Sequence, residues 1–207
     1  MSYKTEQEAF WAGTFGSAYI GRNEGSALLA SNLYFFSHAL RRAGRIESCI
    51  EFGANIGMNL RALKLLYPQM LQTGIEINAE AASGLGELIG ASQVFHGSIF
   101  DYQVVEPANL ALIKGVLIHI NPEMLAACYQ KLYDATRRWL LVCEYYNPSP
   151  VTIPYRGHNE RLFKRDFAGE MLDMFSNLRL VDYGFSYHRD PAFAQDDITW
   201  FLMEKKA

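Results

Sequence analysis

The sequence predicts an α/β domain, a mostly parallel seven-stranded sheet with helices on both faces, and three observations point to it. Strand-like apolar runs alternate with helical stretches. Two of the runs are nearly continuous in apolar residues, as expected for strands covered on both sides. The last two runs are joined by a polar stretch, which reads as a hairpin with the C-terminal strand antiparallel to its partner.

The elements follow in order. Phe10, Trp11, Phe15 and Tyr19 stand at roughly helical spacing, so residues 1–45 are expected to form either a core-packed helix or an N-terminal helical lid. Residues 48–52 make the first strand, ended by Gly53. Leu60, Leu63, Leu65 and Leu66 then set a helix over 58–67, stopped by Pro68. Residues 72–77 are a second strand, the alanine-rich stretch from Ala79 a second helix, and 93–96 a short third strand. Residues 110–117 and 139–144 are the fourth and fifth strands. The texture then changes to Tyr145-Tyr146-Asn147-Pro148-Ser149-Pro150, with Pro154 and Gly157 beyond, and 145–165 is expected as a long acceptor-side loop. A helix over 164–175 and strands over 178–187 and 199–204 complete the chain.

The 207 residues, half hydrophobic and a fifth charged, suffice for one domain whose core needs no disulfide or metal staple. A net charge of -3 argues against an extended basic footprint for nucleic acid or anionic lipid. No stretch approaches about 18 consecutive apolar residues, and the N-terminus lacks a basic segment followed by an apolar one, so neither a membrane span nor a leader is expected. Cys49, Cys128 and Cys143 form no CxxC pair and are odd in number, which suits buried thiols in a reducing cytoplasm.

The chemistry concentrates where the first strand meets the first helix, in Glu51-Phe52-Gly53-Ala54-Asn55-Ile56-Gly57. In an open α/β sheet this is the ligand crevice. Gly53 permits the turn, Asn55 tolerates left-handed backbone angles, and Gly57 lets the helix approach a ligand or the sheet. The spacing is neither GxGxxG nor GxxxxGK[ST], so a pyrophosphate is not the natural guest, and Glu51 would repel a phosphate while attracting a cation. Glu76 ends the second strand nineteen positions beyond Gly57, where a carboxylate accepts both hydroxyls of a ribose. Asp101, after the third strand, is placed to accept from an adenine amine, with Ile77 and Ile99 beside the base.

These features describe S-adenosylmethionine better than NAD, and the sequence here resembles the class I S-adenosylmethionine-dependent methyltransferases, departing at the middle glycine, where Asn55 stands. Further resemblance lies in Gly115-Val116-Leu117-Ile118-His119-Ile120-Asn121-Pro122, Cys143-Glu144-Tyr145-Tyr146-Asn147-Pro148, Ile153-Pro154-Tyr155-Arg156-Gly157-His158 and the run from Lys164 to Met171. These are similar to the pseudaminic acid biosynthesis-associated methylase family. The resemblance implies the class I fold, a Rossmann-like sheet, and a role near bacterial nonulosonic acid or surface-glycan genes. It also implies that the backbone of Lys114 and Gly115 meets the methionine amino group.

His119 follows the fourth strand and is a candidate general base, or else a group that positions a loop or the substrate. Tyr145 and Tyr146 are candidates to face the transferred methyl, Tyr146 as a second catalytic residue. Tyr155, Arg156, His158 and Asp197 are candidates for the acceptor, and Arg156 points to an anionic one. In a closed lid, Trp11 would cover the cofactor and Arg22 and Asn23 would reach its carboxylate. No metal is expected. The expected activity is methyl transfer to oxygen or nitrogen of a small molecule. Its rivals are a nicotinamide-dependent sugar oxidoreductase, disfavoured by the missing GxGxxG, and a catalytically silent cofactor-binding partner in glycan assembly.

Overall fold

The computed structural model describes residues 3–21, 25–155 and 157–206, and of residues 158–160 the backbone alone. Three helices come first, α1 (Glu6–Ala12), α2 (Thr14–Ile20) and α3 (Ser26–Ala39). The alternation then runs β1 (Ser48–Phe52), α4 (Met58–Leu66), β2 (Leu71–Glu76), α5 (Ala79–Ile89), β3 (Val94–His96), β4 (Ala108–Lys114), α6 (Leu125–Ala135) and β5 (Thr136–Glu144). After it come β6 (Val151–Tyr155), β7 (His158–Lys164), α7 (Phe167–Met174), β8 (Leu178–Ser186) and β9 (Ile198–Lys205).

Seven strands form one sheet in the order β3-β2-β1-β4-β5-β9-β8. The pairings β1–β2, β2–β3, β1–β4 and β4–β5 are parallel, and β9 runs antiparallel to both β5 and β8. The order reverses between β1 and β4, and a crevice opens there outside the carboxyl ends of the strands. Period-two alternation sends successive strand residues to opposite faces. Ile50, Phe52, Ala111, Ile113, Leu140 and Val142 thus join a core with α6 and α7. Cys49, Leu110, Leu112, Leu141 and Cys143 join a second with α3 and α4. All three thiols are free and buried.

Four expectations are corrected. The segment read as a loop over 145–165 contains the β6–β7 hairpin, because Val151, Thr152 and Ile153 favour extended backbone and Pro154 is accommodated at a register shift between Ile153 and Tyr155. β7 therefore runs to Lys164, and α7 begins only after Asp166, whose carboxylate caps the Gly169 amide at 2.8 Å. β4 stops at Lys114, since Gly115 adopts a φ of 68° and Leu117–His119 form a 3-10 turn. Within residues 1–45, α3 belongs to the core, burying Phe35, Phe36 and Ala39 and lending Leu28 and Asn32 to the cavity wall, while α1 and α2 lie over the crevice.

Candidate active site

The cavity at this crevice is walled by the β1–α4 turn, the end of β2, the loop after β3, the loop after β4, and α1 with α2 above. Gly53 has a φ of 75°, and a Cβ on it would come within 2.5 Å of Val116 Cγ2, so the turn needs glycine for both backbone and space. Asn55 sits at a φ of 49°, and its own Oδ1 accepts from the Ile56 amide at 2.7 Å. Gly57 is also left-handed but faces away from the cavity: a Cβ would lie 2.7 Å from Leu85 and Leu88, so its part is to let α4 meet α5.

Glu76 is buried at the end of β2, with Oε2 accepting from the Asn55 amide and Oε1 from the Asn78 amide, each at 2.7 Å. Burial pushes its pKa above the ordinary glutamate value, and the amides of Asn78, Asn55 and Ile77 work against that. The residue lines the cavity together with Ile75 and Ile77. This arrangement can accept two hydroxyls of a diol.

Glu51 points from the strand to the α3–α4 side rather than lining the cavity. Its Oε1 accepts from Asn59 at 2.6 Å, Asn59 accepts from Asn32 at 3.1 Å, and Asn32 accepts from Gln195 at 3.0 Å. Its Oε2 is buried without a partner, and burial raises its pKa to about 8. Lys114 opposes that shift from the end of β4. Glu144 sits at the end of β5, where Oε1 accepts from the amides of Val116 at 2.9 Å and Leu117 at 2.8 Å and so fixes the loop after β4.

That loop carries His119 into the cavity wall. Its Nδ1 is 2.5 Å from the Arg161 carbonyl of β7. A carbonyl only accepts, so Nδ1 holds the proton and Nε2 presents a lone pair. Nε2 makes no hydrogen bond to another described residue. Burial lowers the pKa to about 4, which keeps the ring neutral at pH 7. Trp11 of α1 lies 4.6 Å from the imidazole, centroid to centroid, and Tyr155 of β6 lies 5.0 Å away.

Trp11, Gly53, Asn55, Glu76, Ile77, Ile99, Lys114, Gly115, His119, Tyr145 and Tyr155 all line one cavity. Others do not. Tyr146 is 42% exposed beside Phe201, because successive residues leaving β5 face opposite ways and Tyr145 takes the inward side. Asp101 turns outward to Lys4 at 2.6 Å, while Ser98, Ile99 and Phe100 line the cavity in its stead. Asp197 has a φ of 40° and holds the His188 ring at 2.8 Å, and its neighbour Asp196 is the carboxylate at the cavity. Arg22, Asn23 and Arg156 lie outside the described residues, and of His158 only the backbone is described.

Sequence reasoning missed Glu8, Asn78, Glu144 and the asparagine chain behind Glu51. Two of these had signals. Thr5-Glu6-Gln7-Glu8 is a capping box, and both of its reciprocal bonds form. A glutamate closing the apolar run 139–144 is a charge that must be bonded once buried. Asn78 caps α5 and also holds the lid, its amide donating to the Gly13 carbonyl at 3.3 Å and the Ser17 hydroxyl at 3.2 Å.

The residues present fit S-adenosylmethionine: the Gly53 turn lets the chain approach a ligand, and Glu76 offers a buried carboxylate acceptor at the cavity for the hydroxyls of a diol. Among the described residues there is no cluster of three or more His, Cys, Asp or Glu that could hold a metal, and no helix long and apolar enough to cross a membrane.

No protein-family model matches the chain, and no curated protein matches it. Solved structures do. A 1,6-didemethyltoxoflavin-N1-methyltransferase from Burkholderia thailandensis, with bound 1,6-didemethyltoxoflavin and S-adenosylhomocysteine, is 15% identical with a TM-score of 0.72, over 100% of this chain and 92% of that one. Magnesium protoporphyrin IX methyltransferase from Synechocystis PCC 6803, with bound S-adenosylmethionine, is 10% identical with a TM-score of 0.69, over the whole of both chains. The mitomycin 7-O-methyltransferase MmcR is 17% identical with a TM-score of 0.60, over 92% of this chain, which spans 55% of that one. At these identities the likeness establishes architecture: the chain has the Rossmann-like fold of the class I S-adenosylmethionine-dependent methyltransferases.

Proposed function

We propose that this protein is an S-adenosylmethionine-dependent methyltransferase acting on an oxygen or nitrogen of a small molecule. The observation that carries the reading is Glu76, a buried carboxylate held by two backbone amides at the end of β2, facing the cavity beside a glycine turn that lacks phosphate-binding spacing. Bound there, S-adenosylmethionine supplies an electrophilic methyl on a sulfonium. The chain's own part is to align, exclude water and take up a proton. Trp11, Tyr19, Tyr145 and Tyr155 make the walls of a dry acceptor compartment. His119, neutral and presenting Nε2, accepts the proton of an attacking hydroxyl or amine. A carboxylate acceptor would need no such base.

Within this reading the acceptor is a nonulosonic acid or related glycan precursor, which rests on the sequence resemblance. An anionic acceptor would be met by Arg156, as the sequence suggests, and by Lys164, whose ammonium lies 5.1 Å from the Tyr145 ring centroid. The unpaired thiols favour a reducing, cytoplasmic setting. The test is incubation of the protein with methyl-labelled cofactor and metabolite extracts of a nonulosonic-acid-producing bacterium, followed by mass identification of labelled products. A labelled small molecule supports the reading. Label in protein alone, or none in any fraction, contradicts it.

A further inference from the structure

The loop after β3 closes the end of the cavity beyond Glu76, and the carboxylate next to its cavity-lining residues, Asp101, points to solvent and Lys4. A different carboxylate occupies that end. Glu8 of α1 is buried and lines the cavity with Thr5, Gln7, Ser98, Ile99 and Phe100. Its Oε2 is saturated, accepting from the Lys4 amide at 2.5 Å and the Thr5 amide at 3.1 Å. Its Oε1 accepts a short hydrogen bond from the Ser98 hydroxyl, and Ser98 is itself fixed by the Phe100 amide at 3.1 Å. One lone pair of Oε1 is left, held at a defined place in the cavity wall.

Resting on the proposed cofactor, we propose that Glu8, carried by the lid and oriented by Ser98, accepts the 6-amino group of the adenine and thereby selects an aminopurine over an oxopurine. A ribose on Glu76 directs its base toward the β3 side, between Ile77 and Ile99, where the base edge meets Glu8. An exocyclic amine donates to a carboxylate there, whereas a keto oxygen would confront it with like partial charge and leave both groups unpaired. Asp101 instead makes an exposed surface pair with the Lys4 ammonium. The lid thus closes over the cofactor's base as well as over the reacting centre.

Glu8→Gln gives a direct test, because glutamine keeps the capping box and the two backbone amides hold its oxygen at the Oε2 position. The NH2 must then stand where Oε1 stood, converting an acceptor into a donor. Calorimetry on the full chain would compare S-adenosylhomocysteine with S-inosylhomocysteine, in which a keto oxygen replaces the amine. The wild-type chain is expected to prefer the adenosyl compound by at least about tenfold. In Glu8→Gln the preference should vanish or reverse, and in Asp101→Asn it should persist. Ser98→Ala, which leaves the helix cap untouched, should lower it several-fold and serves if Glu8→Gln does not fold. An unchanged preference in Glu8→Gln, or its collapse in Asp101→Asn, overturns the assignment while leaving the cofactor reading intact. Failure of the wild-type chain to bind either compound overturns both.

Discussion

His119 illustrates how one hydrogen bond sets the chemistry of a side chain. The Arg161 carbonyl fixes the tautomer, and burial keeps the ring neutral with a pKa near 4. His119→Ala should lower turnover by about 100-fold while leaving S-adenosylhomocysteine affinity within about twofold. Since the imidazole does not titrate between pH 6 and 8, the ratio of wild-type to variant turnover should stay constant over that range. A ratio that climbs as pH rises through 6.5 would mean an ordinary exposed histidine. The residues whose place at the cavity was legible in the sequence were those set by position at a strand end, as with Gly53, Asn55, Glu76 and His119. Tyr146 and Asp101 were misplaced because a sequence names the residue types near a crevice and not the direction each side chain takes.

In the proposed function, the β6–β7 hairpin is the element that matters most to the acceptor side. It brings Tyr155 to the cavity, and β7 supplies the carbonyl that orients His119. Its turn depends on Gly157, at a φ of 85°. A β-branched residue there pays at least the roughly 1–2 kcal/mol of a left-handed L-residue. Gly157→Val should therefore cut kcat/KM for the acceptor by about tenfold with unchanged cofactor affinity; a matching loss of cofactor affinity would place the hairpin in the cofactor site instead. Prolines at 148, 150 and 154 hid this element, because a proline is tolerated in an edge strand at a bulge and sequence composition alone reads it as a loop. The lid is likewise held by tertiary contacts, chiefly Glu8 to Ser98 and Asn78 to α2, which no local pattern encodes.

At the scale of the whole molecule, the alternation of strands and helices determined the sheet, and the strand order placed the crevice between β1 and β4. The same architecture buries two glutamates beside Lys114. Glu51 is raised to about 8 and Glu144 to about 7, both far above an unfolded glutamate near 4.3. The folded chain thus retains protons that the unfolded chain has released, and stability falls as pH rises from about 4.5 to 8. His119 acts in the opposite sense only below about pH 6.5, where the unfolded imidazole takes up a proton that the folded one refuses. Between pH 6.5 and 8, thermal melts of Glu51→Gln should therefore lose less midpoint temperature than the wild type; an equal or steeper loss contradicts the burial of a protonated Glu51.

The claim on which the rest depends is that Glu76 grips the sugar diol of an adenosyl cofactor. Calorimetric titration with S-adenosylhomocysteine of the wild-type chain and of Glu76→Gln tests it most directly. The wild type should bind, and binding should weaken roughly 30-fold in the variant, the loss expected when a charged acceptor is removed from two hydroxyls. No measurable binding by the wild type, or equal affinity in the two proteins, would contradict it.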